Sequence, residues 1–342
     1  MFSDCRSLNA APELPATTLA DYCYNNMFQG CYSLTTVPKI LPATMLIKSC
    51  YDSMFSMCTS LTTAPELPAT TLADYCYNNM FQGCTSLTTP PALPATTLAN
   101  YCYHYMFGNC TSLSTSPELP ATTLTDYCYQ YMFYNCTSLT TAPALPATTL
   151  TDWCYSYMFC NCSALITAQE ILPAIALADY CYYNMFASCA SLTTTPDLPA
   201  TALADGCYNN MFSYCTLLTI TSDLPATALA NYCYYGMFTE CTSLETAPTL
   251  PATELDDYCY SNMFQGCTSL TIAPELPATT LATGCYNNMF YYCTNLNKKL
   301  YYTSDFPLLN DDTFLNYFIG WDLYIDGVFA GTIENTTNNY YY

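Results

Sequence analysis

A chain of 342 residues with 26 acidic and five basic side chains carries a formal net charge of −21, although only 9% of it is charged. The basic residues are Arg6, Lys39, Lys48, Lys298 and Lys299; with none between Ser49 and Asn297 to neutralise phosphates, nucleic acid is excluded as a partner and attraction to anionic lipid is unsupported. An apolar content of 52% excludes a disordered acidic tail, and no run reaches the roughly 18 apolar residues of a membrane span, so no membrane insertion is expected.

The chain opens on MFSDCRSL, the counterpart of MFQGCTSL further on, and so begins in the second half of a repeat unit. It lacks the basic start and apolar stretch of a signal peptide. Met1, Phe2 and Leu8 mark this end; either the chain is a piece of a longer protein with further units upstream, or the end is expected to be uncapped and open to docking of another chain, including a second copy end to end.

Cysteines set the period. Pairs with seven residues between them begin at Cys23/Cys31 and recur at a step of 26, stretched to 27 by Ile40 and Ile171, through Cys285/Cys293. That makes eleven full units after the leading half. One unit reads LPATTLADYCYNNMFQGCTSLTTAPE.

On a wheel of about 100° per residue, Leu19, Cys23, Tyr24, Met27 and Phe28 fall on one half and recur in every unit. Tyr22, Asn25 and Asn26 fall on the other half, where the letters vary. This predicts a ten-residue helix with its constant face on a core. Thr18 and Asp21 resemble a capping box, repeated at Thr71/Asp74, Thr123/Asp126 and Thr149/Asp152. Gly30, Gly83, Gly266, Asn109, Asn135 and Asn161 suit a left-handed stop. The following Ser-Leu-Thr-Thr predicts a strand of about four residues, ended by proline. A unit of this kind cannot bury its own apolar face, so the units must stack. The expected fold is a right-handed α/β solenoid over residues 1–296, with one short strand and one short helix per unit and a parallel stacked sheet.

From Asn297 the texture changes. Trp321–Ile325 and Val328–Ile333 flank Asp326-Gly327, a strong hairpin signal. Residues 297–342 are expected to form a C-terminal cap with a β-hairpin and a polar tail.

The pattern L-P-x-x-x-L…Y…M-F-x-x-C-x-S-L-T resembles the BspA-type leucine-rich repeat over about residues 1–296, and its MF-x-x-C-x-S-L core is similar to repeats of certain bacterial surface lipoproteins. The unit is about three residues longer than the family's, and its strand is poorer in Leu and Ile. The resemblance implies a surface or secreted, non-enzymatic protein of adhesion or interaction, found in bacteria, parasitic protists or phage and mobile-element genes.

The 24 cysteines lack zinc spacing and the chain has one histidine, His104, so two ladders of buried thiols are expected, with intra-unit disulfides as the alternative and with no metal and no cofactor. Cys160 occupies a variable slot and is expected to be the most reactive thiol. No nucleophile, phosphate-loop or zinc-protease motif is present, which points away from an enzyme. The variable slots use Tyr, Asn, Ser and Gly, the vocabulary of binding loops. They nominate His104, Tyr105, Gln130, Tyr131, Tyr134, Tyr157, Tyr183, Tyr214 and Tyr235 as a recognition face for a protein or glycan. The alternative is a structural subunit of a filament or appendage, assembling through Met1, Phe2 and Leu8.

Overall fold

The computed structural model describes residues 2–304, 307–308 and 311–334. Its units stack as a solenoid, but the ten-residue run in each is not a helix. Residues 75–83 show the rule. Cys76, Asn78, Met80 and Gln82 donate their amides three residues back, to Ala73, Tyr75, Tyr77 and Asn79. The alternate amides of Tyr75, Tyr77, Asn79, Phe81 and Gly83 donate to the next unit, to the carbonyls of Asn100, Cys102, His104, Met106 and Gly108 at 2.8–3.1 Å. An α-helix would spend every amide internally; this run keeps half for its neighbour, and every buried amide is satisfied.

The geometry requires a left-handed residue every fourth position: Tyr75 (φ 58°), Asn79 (51°) and Gly83 (72°), and likewise in each unit. The expected stop positions Gly30, Asn109, Asn135 and Asn161 do take positive φ (70°, 61°, 58° and 63°), as the last of three such residues and not as a helix end. A period of four differs from 3.6 by about 10° per residue, so over one run both place nearly the same letters inside. Cys76, Tyr77, Met80, Phe81 and Cys84 are each at most 1% exposed.

The expected strand is reduced to isolated parallel bridges, Thr63 with Thr89, Thr141 with Thr167 and Thr194 with Ile220 among them. Prolines within a few residues on the exit side deny the ladder its next amide. The expected capping boxes have no helix to cap. Instead, Asp74, Asp152, Asp179, Asp205 and Asp257 each accept, through Oδ1, the backbone amide of the equivalent residue one unit on, at 2.8–3.2 Å.

Columns of identical side chains fill the core. Phe2, Phe28, Phe55, Phe81 and their successors stack to Phe290 with centroids 5.4–5.9 Å apart. A tyrosine column runs beside it from Tyr24 to Tyr286 at 5.6–6.0 Å. Each stacked pair adds about 0.5–1.5 kcal/mol to the burial of its rings. All the cysteines are free thiols. The second cysteine of each unit donates Sγ–H to the phenylalanine carbonyl of the unit before, as in Cys84 to Phe55 at 3.1 Å. Cys160 is 7% exposed and burial pushes its thiol up to about 12, which reverses the expectation of a reactive group there.

After the last unit come β1 (Lys299–Tyr302), α1 (Asp312–Asn316), β2 (Asp322–Ile325) and β3 (Val328–Thr332). β1 pairs parallel with β2, and β2 antiparallel with β3 across Asp326 (φ 49°) and Gly327 (78°), the paired positive angles of a two-residue hairpin. Phe314, Tyr317 and Phe318 pack on Tyr286, and Trp321 packs on Phe290, where a further unit's rings would otherwise stack. The polar tail expected beyond residue 334 lies outside the described residues. Among the described residues no helix is long and apolar enough to cross a membrane.

Candidate binding face

Where the next unit has glycine at the equivalent position, the left-handed residue lays its side chain over it, as Met57 does over Gly83 and Tyr180 over Gly206, whereas Tyr105 lies against Gly108 of its own unit. Where a left-handed position immediately precedes the first cysteine, the residue is usually aromatic. Tyr75, Tyr101, Tyr127, Trp153 and Tyr180 form a near-parallel stack with centroid steps of 4.7, 4.5, 6.2 and 4.4 Å. Four residues on, Tyr105, Tyr131 and Tyr157 make a second row at 5.6 and 4.5 Å.

Cross-pieces join the rows. His104 meets Tyr101 and Tyr131 edge-on at 5.7 and 5.9 Å. Tyr183 does the same with Trp153, Tyr157 and Tyr180 at 5.7, 5.1 and 5.7 Å. Tyr134 lies 5.7 Å from both Tyr105 and Tyr131. All of these rings are half-buried. Six of the nine nominated residues, His104, Tyr105, Tyr131, Tyr134, Tyr157 and Tyr183, therefore share one aromatic field.

The other three do not belong to it. Gln130 is 8% exposed, so its side chain sits beneath the field and not on it. The wheel sent it to solvent because it assumed a helix. Tyr214 is 53% exposed, and among the described residues no ring contact joins it to the field. Tyr235 touches Tyr232, beyond the break that Gly206 makes in the first row. Conversely, Tyr75, Tyr101, Tyr127, Trp153 and Tyr180 were not nominated. Their signal was an aromatic residue directly before the first cysteine, repeating with the unit.

A polar row runs alongside. Asn25 Nδ2 and Asn78 Nδ2 each donate to Asp52, both at 3.1 Å, and Ser53 Oγ donates at 2.8 Å. Burial raises the Asp52 carboxyl, and these donors oppose it. With its nitrogen committed to Asp52, Asn78 turns Oδ1 to His104 Nδ1 at 2.8 Å, so Nδ1 carries the proton. Burial lowers His104 to about 4, so the ring is neutral at physiological pH. Further along, Asn109 Nδ2 donates to the Tyr105 hydroxyl at 3.0 Å, and Asn161 Nδ2 to the Tyr134 hydroxyl at 3.2 Å.

Stacking covers the ring faces within the first row and between Tyr131 and Tyr157, while Tyr105 is tilted 46° to Tyr131, so the field offers a partner mainly ring edges, hydroxyls and amides. With no cation between Lys48 and Lys298, it is neutral to acidic throughout.

These features define a leucine-rich-repeat-type solenoid with a side-chain array on one face. The profile of the BspA type leucine rich repeat region (6 copies) matches residues 1–106, 74–209, 104–245 and 206–317, and the chain belongs to that family. Among solved structures it is similar to a leucine-rich repeat protein from Bacteroides ovatus ATCC 8483, at 17% identity and TM-score 0.47 over 94% of this chain and 85% of that one. It is also similar to a leucine-rich cell surface protein from Faecalibacterium prausnitzii A2-165, at 18% identity and TM-score 0.35 over 86% of this chain and 60% of that one. No curated protein matches the chain.

Proposed function

We propose that this protein is a non-enzymatic recognition module displayed at a cell surface or secreted, and that it binds a protein or glycan across the aromatic field from Tyr75 to Tyr183. The observation that carries the reading is the continuity of that field: a joined set of half-buried rings, each held in place by the next. Tyrosine supplies wide amphipathic contact at low entropic cost, and rings already fixed by stacking lose little more on binding. Membership of the BspA-type family supports the surface location.

The test is to replace Tyr105, Tyr131 and Tyr157 together by serine and compare wild type and variant on glycan arrays and on extracellular protein panels. Loss of a wild-type ligand, with the melting curve retained, is the expected result. A wild-type ligand that binds the variant equally well would overturn the assignment of this face.

Self-association through the Met1, Phe2 and Leu8 end is a second reading. Met1 lies outside the described residues; Phe2 and Leu8 pack half-buried on the first core layer. One observation favours it: among the described residues the carbonyls of Asp21, Cys23 and Asn25 receive no backbone amide, unlike their counterparts in later units. Two such ends would set carbonyl against carbonyl, so this assembly would have to be head to tail, with α1 and Trp321 displaced from Tyr286 and Phe290 of the last unit. Light scattering over a hundredfold concentration range tests it, and constant mass would sink it.

A further inference from the structure

The ladder has a donor row at its far end. Tyr260, Asn262, Phe264 and Gly266 give their amides to the carbonyls of Cys285, Asn287, Met289 and Tyr291 at 2.8–3.0 Å. The equivalent amides of the last unit belong to Tyr286, Asn288, Phe290 and Tyr292, and among the described residues none of them meets an acceptor. They open on a cleft of about 470 Å³ between residues 286–294 on one side and Asn316, Tyr317, Phe318 and Trp321 on the other, with Lys298 on its wall.

We propose that this cleft is a binding site for a small carboxylate-bearing ligand. Its carboxylate takes amides of this row, from Asn288 to Tyr292, together with the Lys298 ammonium. A row of amide donors beside an ammonium selects an anion. Lys298 and Lys299 are the first cations after Lys48, so in an acidic chain this is where an anion meets favourable charge. The volume suits a small molecule. A further solenoid unit does not fit, because Tyr286 and Phe290 are already covered by α1 and Trp321. The site is independent of the aromatic field between Tyr75 and Tyr183.

A carboxylate can be carried by a sugar acid or by an acidic peptide, and the two arms of the test separate them. The full chain is titrated with glucuronic acid and with acetyl-glycyl-glutamate amide, each beside its uncharged counterpart, glucose and acetyl-glycyl-glutamine amide. Amide chemical shifts of Asn288, Phe290 and Tyr292 are followed together with calorimetric affinity. The expected result is saturable shifts at those amides with one of the acids, none with its neutral counterpart, and about tenfold weaker binding by Lys298→Gln. The exposed position of Lys298 keeps that variant folded, and Lys298→Arg should restore binding. Three results would each overturn the proposal: unmoved amides with both acids at millimolar concentration, equal binding of a neutral counterpart, or unchanged affinity in Lys298→Gln.

Discussion

The Tyr180 ring lies across the backbone of Gly206, so close that a Cβ on that glycine would stand 2.3 Å from Tyr180 Cε1. The same relation holds between Tyr258 and Gly284, at 2.5 Å. Gly206 has φ +59°, as its aromatic counterparts do, so the backbone is shared and only the side chain is missing. Gly206→Ala should therefore displace Tyr180 and cost about 1–2 kcal/mol for a left-handed alanine, read as a lower melting temperature. Gly284→Ala should act alike through Tyr258.

Phe107 stacks between Phe81 and Phe133 with no exposure. Phe107→Ala should cost about 3–5 kcal/mol, the range for truncating a buried aromatic. Because each unit touches only its neighbours, the damage should also split one unfolding transition into two. Hydrogen exchange would show faster opening at the amides of Phe81 and Phe107 than at those near Phe238.

The Tyr103 hydroxyl is buried with no hydrogen-bond partner, as are those of Tyr77, Tyr208 and Tyr234. An unmet buried hydroxyl costs about 1–3 kcal/mol, so Tyr103→Phe should be neutral or stabilising. A clear loss of stability in chemical denaturation would show that the hydroxyl has a partner.

His104 gives a pH dependence with a definite sign. Its folded pKa, about 4, lies below the unfolded value of about 6.5. Its contribution is complete above pH 6.5, fades as the pH falls toward 4, and has no further slope below that, where both states are protonated. The loss is on the order of 3 kcal/mol at most. The raised Asp52 acts in the opposite direction, so the measurement is a difference: His104→Asn should flatten the wild-type stability curve between pH 6.5 and 4.

Cys5 and Cys23 are exposed and the other thiols are buried. Native alkylation should label those two alone, with Cys160 reacting only after denaturation. Mass spectrometry of the labelled peptides reads this directly.

How far the sequence could be read depends on what repeats. The core letters were legible because Cys76, Tyr77, Met80 and Phe81 recur with the unit, whichever backbone carries them. The backbone was not, because hydrophobic position alone cannot separate a period of four from one of 3.6 over ten residues. The left-handed tyrosines hid it further, since Tyr75 or Tyr101 at positive φ is uncommon for a bulky residue. The same error cost half the aromatic field. A wheel places Tyr75 and Tyr101 in water as separate residues, whereas the turn run lays one on the next. Gln130 was misplaced for the matching reason.

The alternation of amides along each run gives the chain a parity. Odd and even positions have different duties, one binding within the unit and the other across to its neighbour. Gain or loss of a whole unit leaves every duty in place, so the protein can change length by duplication without relearning its fold. A single residue inserted between Tyr75 and Gly83 would exchange the duties of all that follow in that run. The two inserted residues that the chain does carry, Ile40 and Ile171, fall at the proline corner instead, where Ile40 bridges to Glu66 and Ile171 to Asp197 and no such count is kept.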